Sequence, residues 1–268
     1  MLKAGQVQFM DSSFHSVVTY QYLTDRVFFE ISGFSVSCGQ IHFQWFFLSG
    51  TSSCSLNSSF SGSLSGTSRH HTVTGLTMKD NRSYKFALKA SDMRRKVYKV
   101  VCTGVLVVDT SKPQGGWIRD GPGADLSYQA SKFLQVNWGG VQTRNGVARY
   151  DWKVLSISFN NNQTQEIMLF TNANLNTSAG KTFSSLSDGS EVKFVVRAYT
   201  KAGLFYDLVS DGVVIDTSPP VPGKVFDGKQ VSVDLKFAKW RATFSANWDR
   251  FIDPHSLIAR YTLSLIHI

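Results

Sequence analysis

The sequence predicts an all-β chain of tandem antiparallel β-sandwiches with the last copy truncated. Three observations carry that expectation. The joint "LVVDTSKPQGGWIRDG" at 106–121 returns as "VVIDTSPPVPGKVFDG" at 213–228, which sets Asp109 and Asp216 107 residues apart. Apolar and polar residues alternate over five or six positions in several short runs, the pattern of a half-buried strand. No stretch offers the 3.6-residue apolar period of an amphipathic helix.

The strands follow in chain order. "VFFEIS" (27–32) puts Val27, Phe29 and Ile31 on one face, where "LQVNW" (134–138) puts Leu134, Val136 and Trp138. "FSANW" (244–248) is the third version, ending in Trp248. "CGQIHFQW" (38–45) aligns with "NGVARYDW" (145–152), and "VARYDW" with "IARYTL" (258–263), so each is expected to be a strand. Tyr20-Gln21 corresponds to Tyr128-Gln129, and "RSYKFALKA" (82–90) to "SEVKFVVRA" (190–198). A unit of about 107 residues with about seven short strands is the size of one sandwich. In the joint, "LVVD" or "VVID" closes one sandwich. Thr-Ser-x-Pro ends the strand because proline has no N–H for the ladder, and Asp-Gly turns the chain after the next strand begins.

The expected modules are 1–110, 111–217 and a partial third at 218–268. The chain opens inside a first strand (5–9) and stops about half-way through a third sandwich, so 219–268 is expected to pack poorly. The closing "SLIHI" is given little weight.

Composition narrows the function. Hydrophobic residues make up 42% and charged residues 18%, which suits a core-forming chain. The net charge of +9 favours an acidic partner, whether glycosaminoglycan, nucleic acid or anionic membrane. The longest apolar run, "VVCTGVLVV" (100–108), is far below the ~18 residues of a membrane helix, and residues 1–30 carry no secretory-leader pattern. No nucleophile elbow, phosphate loop, dinucleotide fingerprint or zinc helix is present. "SGSLSGTS" (61–68) reads as a flexible Ser/Gly loop, with Leu64 where a nucleophilic serine would stand. No catalytic residue, cofactor or metal is expected.

The stretch "LSDGSEVKFVVRAYTKAGL" (186–204) resembles the fibronectin type III signature, with Leu186, Gly189, Phe194, Val196, Ala198 and Gly203 at matching positions. Trp138 and Trp248 fit the family's second-strand tryptophan. Val192 replaces the tyrosine that braces the strand corner in that family, whereas the first copy keeps Tyr84; Ile31 replaces the tryptophan in the first copy. The resemblance, which extends to immunoglobulin-like sandwiches, implies a non-catalytic extracellular structural or adhesion array that recognises partners through its loops. It implies a secreted or ectodomain location, with an extracellular protein or glycosaminoglycan as partner, and neither nucleic acid binding nor membrane insertion. A more distant reading is an accessory region of a larger secreted enzyme.

Candidate sites are few. "DMRRKVYKV" (92–100) sets Arg94, Arg95, Lys96 and Lys99 on the loop and strand start between the last two strands, near Lys85 and Lys89, which share a strand face. That spacing resembles a heparin-binding consensus, and several cations could hold sulfates by charge-assisted bonds; a simply solvated loop tip is the blander and more common explanation. Sequons occur at Asn57, Asn81, Asn162 and Asn176, with Asn57 and Asn162 in polar loops. Cys38 and Cys54 flank the strand expected at 41–48 and either bond across a turn near Gly50 or stay independent thiols, with Cys102 a small apolar strand residue. A metal set of Cys38, His42, Cys54, His70 and His71 is too irregular to hold. Asp120, Asp125, Asp227 and Asp234 recur after the joints, but two carboxylates per joint fall short of calcium's 6–8 oxygens, and turn formation explains them.

Overall fold

Alternation becomes burial as expected. In a computed structural model, which describes residues 1–50, 53–64, 68–158, 163–237 and 243–265, the 27–32 run and the 134–138 run become strands whose odd or even members alone face inward. Val27, Phe29 and Ile31 are buried in the first, Leu134, Val136 and Trp138 in the second. The described residues contain no helix, and so none long and apolar enough to cross a membrane.

The chain divides into two compact units. One comprises Met1–Gly115, Val141–Ala148 and Ala198–Tyr206; the other Gly116–Gly140, Arg149–Arg197 and Asp207–Ile268.

The first contains β1 (Leu2–Lys3), β2 (Gln6–Met10), β3 (Tyr20–Gln21), β4 (Arg26–Ser32), β5 (Ser35–Val36), β6 (Ile41–Ser49), β7 (Ser61–Leu64), β8 (His70–Thr74), β9 (Arg82–Asp92), β10 (Val97–Cys102) and β11 (Leu106–Val108). One layer has the order β2-β4-β8. The other runs β3-β11-β9-β6-β7, with β10 also on β9. Phe86 is the centre of the core between them. Its ring lies 5.0 Å from Phe29, 5.3 Å from Trp45, 5.6 Å from Phe47 and 6.0 Å edge-on from Phe9. Tyr84 supplies the corner brace: its buried hydroxyl accepts the Lys79 N–H at 2.7 Å.

The second plan repeats the first. Its strands are β12 (Trp117–Asp120), β13 (Tyr128–Gln129), β14 (Phe133–Gly139), β15 (Val147–Ile157), β16 (Thr164–Asn174), β17 (Ser178–Thr182), β18 (Glu191–Thr200), β19 (Phe205–Val209) and β20 (Val213–Ile215). The layers are β12-β14-β17 and β13-β20-β18-β15-β16, with β19 on β18. Trp138 meets Tyr150 edge-on and Trp152 stacks on Phe194. Val192 is fully buried and leaves this corner without a tyrosine brace. In both repeats a two-residue strand runs parallel to the closing strand, β3 along β11 and β13 along β20.

Two expectations change. Ser61–Leu64 is not a loop but strand β7, because Phe43–Phe46 of β6 offers it a ladder; residues 65–67 of that stretch lie outside the described residues. Gly62 is needed there, since a Cβ would sit 2.7 Å from the Trp45 ring. The strand expected at 258–263 does not form. In its segment, β21 (Lys224–Asp227) pairs only with β22 (Ala246–Asp249), and no described neighbour offers 258–263 a ladder. Phe237, Phe244, Leu257, Leu263 and Leu265 are exposed in that segment.

Candidate functional site

The basic candidate occupies a hairpin tip. β9 and β10 pair from Asp92–Val97 to Ala87–Cys102, and residues 93–96 form the turn between them. Asp92 builds the turn: its buried Oδ1 accepts the N–H groups of Arg94 at 3.0 Å and Arg95 at 3.4 Å. Lys96 adopts a left-handed φ of 53°. Arg94, Arg95, Lys96 and Lys99 are all exposed.

Register divides the six cations. Residues directly opposite in a ladder share a face. Lys99 is opposite Ala90, which belongs to the face of Phe86 and Leu88. Lys85 and Lys89 belong to the other face, where the Lys89 ammonium lies 5.0 Å from the Tyr98 ring centroid. Arg94 reaches away from the strand, with Nη1 donating to Cys38 Sγ at 3.4 Å. The structure therefore gathers Arg94, Arg95 and Lys96 at the tip and splits the three strand lysines between two faces.

The cysteine pairing differs from the expected one. Cys54 bonds Cys102, with Cα atoms 5.9 Å apart, and Cys38 is an exposed free thiol. Cys38 precedes β6 and Cys54 follows it, so a nine-residue strand separates them. That is roughly 30 Å of extended chain, against the ~7 Å limit for bridging Cα atoms. Cys102 lies opposite Ala87 on the outer face of the sheet, where the loop after β6 can reach it.

Asn57, Asn81 and Asn176 are exposed; Asn81 adopts a φ of 56° and its N–H donates to the Val108 carbonyl. Asn162 lies outside the described residues.

The joints carry an interaction pattern that the sequence did not disclose. Asp109 Oδ1 accepts Ser111 N–H at 3.0 Å, and Asp216 Oδ1 accepts Ser218 N–H at 3.1 Å. A second aspartate from the preceding turn takes the next amide: Asp80 accepts Thr110 N–H, and Asp188 accepts Thr217 N–H. In the first unit Arg144 bridges Asp80 at 2.9 Å and Asp109 at 3.1 Å, and Asn145 donates to Asp109 Oδ2 at 2.7 Å. The Arg144 guanidinium, together with Thr110 N–H, holds the Asp80 carboxyl well below the usual carboxylate range. Burial pushes the Asp109 carboxyl up, but hydrogen bonds from Ser111 and Asn145 and the charge of Arg144 outweigh it. In the second unit His255 holds Arg144's place before the Ala-Arg-Tyr run. Its Nδ1 stands 3.8 Å from Asp216 and its ring lies against Gly189.

A third group was visible only in part. Asp120, Asp125 and Asp211 each bring a carboxylate oxygen within 4.8 Å of the other two. Asp120 is fully buried at the end of β12. Its Oδ2 accepts Gly212 N–H at 3.0 Å, while its buried Oδ1 has no hydrogen-bond partner. Asp125 accepts the Asp120 N–H at 2.7 Å, as Asp234 accepts that of Asp227 at 2.9 Å, which bears out the turn role of these pairs. Burial pushes the Asp120 carboxyl up to about 6. The nearby Ser210 hydroxyl and the Gly212 N–H oppose that rise, and the charges of Asp125 and Asp211 add to it. Asp211 went unread because it is 91 residues from Asp120. Its signal is a difference between repeats, Ser210-Asp211-Gly212 against Thr103-Gly104-Val105.

No family model matches this chain, and no curated protein does. Among solved structures, the chicken CNTN1 FN1–FN3 domains align with 73% of this chain at 12% identity and a TM-score of 0.40. A Ca2+-stabilized adhesin that helps an Antarctic bacterium reach out and bind ice aligns with 87% at 15% identity and a TM-score of 0.32. This chain spans 66% of the first and 54% of the second, less than two thirds of either. Each of the two repeats sets a three-stranded layer against a larger one, so the chain carries tandem β-sandwiches, the architecture that the fibronectin type III resemblance implies.

Proposed function

We propose that the chain is a non-catalytic, extracellular structural and adhesion array, made of modules at 1–110 and 111–217 and part of a third at 218–268. The observation that carries this reading is the rebuilt joint. The same Asp-Thr-Ser bonds recur at Asp109–Ser111 and Asp216–Ser218, each backed by an aspartate of the preceding turn. A chain that repeats the same hydrogen bonds at its links is suited to present loops at fixed spacing. The Cys54–Cys102 bond supports an oxidising, extracellular setting, and glycans on Asn57, Asn81, Asn162 or Asn176 fit the same location. Surfaces coated with the purified chain should retain cells above albumin-coated controls. Retention equal to albumin, across several cell types, would remove the adhesive role.

A second reading rests on the exposed Arg94–Lys96 tip, which could hold sulfates of heparan sulfate. Lys85, Lys89 and Lys99 would then act as flanking charge only. The triple change Arg94→Ser/Arg95→Ser/Lys96→Ser should lower the salt needed for elution from heparin. Elution of the unaltered chain at the salt of a neutral sandwich of equal size removes this reading. An accessory role beside an enzyme domain is the remaining alternative, and the full reading frame decides it.

A further inference from the structure

The buried aspartate at the end of β12 is out of character for its position. In the first repeat Phe9 pairs with Phe29 of β4; in the second Asp120 pairs with Val136 of β14, and Phe29 and Val136 are equivalent. A sandwich thus closes with a buried phenylalanine at this place, and the second repeat puts a carboxylate there instead. Likewise Gly104 stands where Asp211 stands. The first repeat folds with neither acid. Burying a carboxylate beside two others is costly unless something of opposite charge joins them.

We propose that Asp120, Asp125 and Asp211 bind one calcium ion, which ties the end of β12 to the turn between β19 and β20. The donor set is all oxygen, which selects a hard cation over zinc or copper. Asp120 Oδ1 is buried and has no hydrogen-bond partner. Two oxygens on one calcium ion stand at most about 5 Å apart, twice a 2.3–2.6 Å bond. The three carboxylate oxygens lie within 4.8 Å of one another, inside that limit. Magnesium, at about 2.1 Å and near-octahedral, sets the tighter limit of about 4.2 Å between any two ligand oxygens. Asp125 and Asp211 are exposed, which leaves one side of the site open for the waters that complete calcium's 6–8 ligands. Asp120 Oδ2 stays on the Gly212 N–H, so the ion adds to an existing tie across 92 residues.

The test uses the full chain, stripped with EDTA and then melted with calcium chloride, magnesium chloride or neither at matched ionic strength. Sites of this kind in extracellular modules have Kd values of about 10⁻⁴–10⁻³ M. At 10 mM calcium the melting temperature should therefore rise by roughly 6–12 °C, and magnesium should give less than half of that. Asp211→Asn, on an exposed turn, should abolish the calcium shift. Asp120→Asn should abolish it too, while raising the metal-free melting temperature. Asp227→Asn, in the partial repeat, should leave the shift intact. No calcium shift in the unaltered chain overturns the proposal, and so does an equal shift in Asp211→Asn.

Discussion

Converting Cys54 and Cys102 together to serine removes the one cross-link among the described residues and leaves Cys38 untouched. The bond closes a loop with a sequence separation of 48. Loop-closure entropy for that length is about 13–14 cal/mol/K, or about 4 kcal/mol at 25 °C, an upper bound because a compact denatured chain has less freedom to lose. For a unit near 110 residues this corresponds to a fall of roughly 15 °C in melting temperature. Scanning calorimetry of the oxidised chain should show one transition moving down by that order and another staying in place. The single changes Cys54→Ser and Cys102→Ser should each match the double change, because one bond is lost in all three. Cys38→Ser should stay within about 0.5 kcal/mol of the parent, as other surface changes do. The reasoning fails if Cys38→Ser destabilises as much as Cys102→Ser, or if the double change costs less than about 1 kcal/mol.

Three further outcomes follow from named contacts. Tyr84→Phe removes the acceptor of the Lys79 N–H and should cost about 1 kcal/mol in urea unfolding, with an unchanged midpoint as the contrary result. Gly62→Ala places a methyl 2.7 Å from the Trp45 ring and should cost about 1–3 kcal/mol; near-parental stability would mean that β7 does not lie beneath that ring. Hydrogen bonds from Ser218 and Ser256 lower the Asp216 carboxyl to about 2. Because its folded value is depressed, its stabilisation is complete above about pH 4 and is lost as pH falls through about 2. The stability gap between the parent and Asp216→Asn should therefore close between pH 4 and 2, and a gap that persists at pH 2 contradicts the clasp.

What the sequence disclosed and what it hid have one physical boundary. Alternation at 27–32 and 134–138 is a local property of a strand with one buried face, so the layers and their core were legible from it. Ser61–Leu64 was not, because nothing apolar marks a strand whose role is to lie under Trp45; only β6 makes it one. Cys102 was read as core filler since its partner lies on a loop 48 positions earlier. The basic tip was found in the correct hairpin turn, but the split of Lys99 from Lys85 and Lys89 depends on the pairing of β9 with β10, and spacing along one strand carries no information about the next. Asp80 with Arg144 and Asp120 with Asp211 are 64 and 91 positions apart in sequence and meet only through tertiary folding.

The short parallel pairings have a mechanical consequence. Val107 N–H donates to Thr19 and Asp109 N–H to Gln21; Val214 N–H donates to Ser127 and Asp216 N–H to Gln129. Tension carried along the chain pulls the beginning and the end of each repeat in opposite directions. Strands that run the same way must then slide past each other, so these bonds resist together in shear and do not peel one by one. Each pairing ends at the aspartate that starts the joint, which places this resistance to stretching where load enters and leaves a repeat.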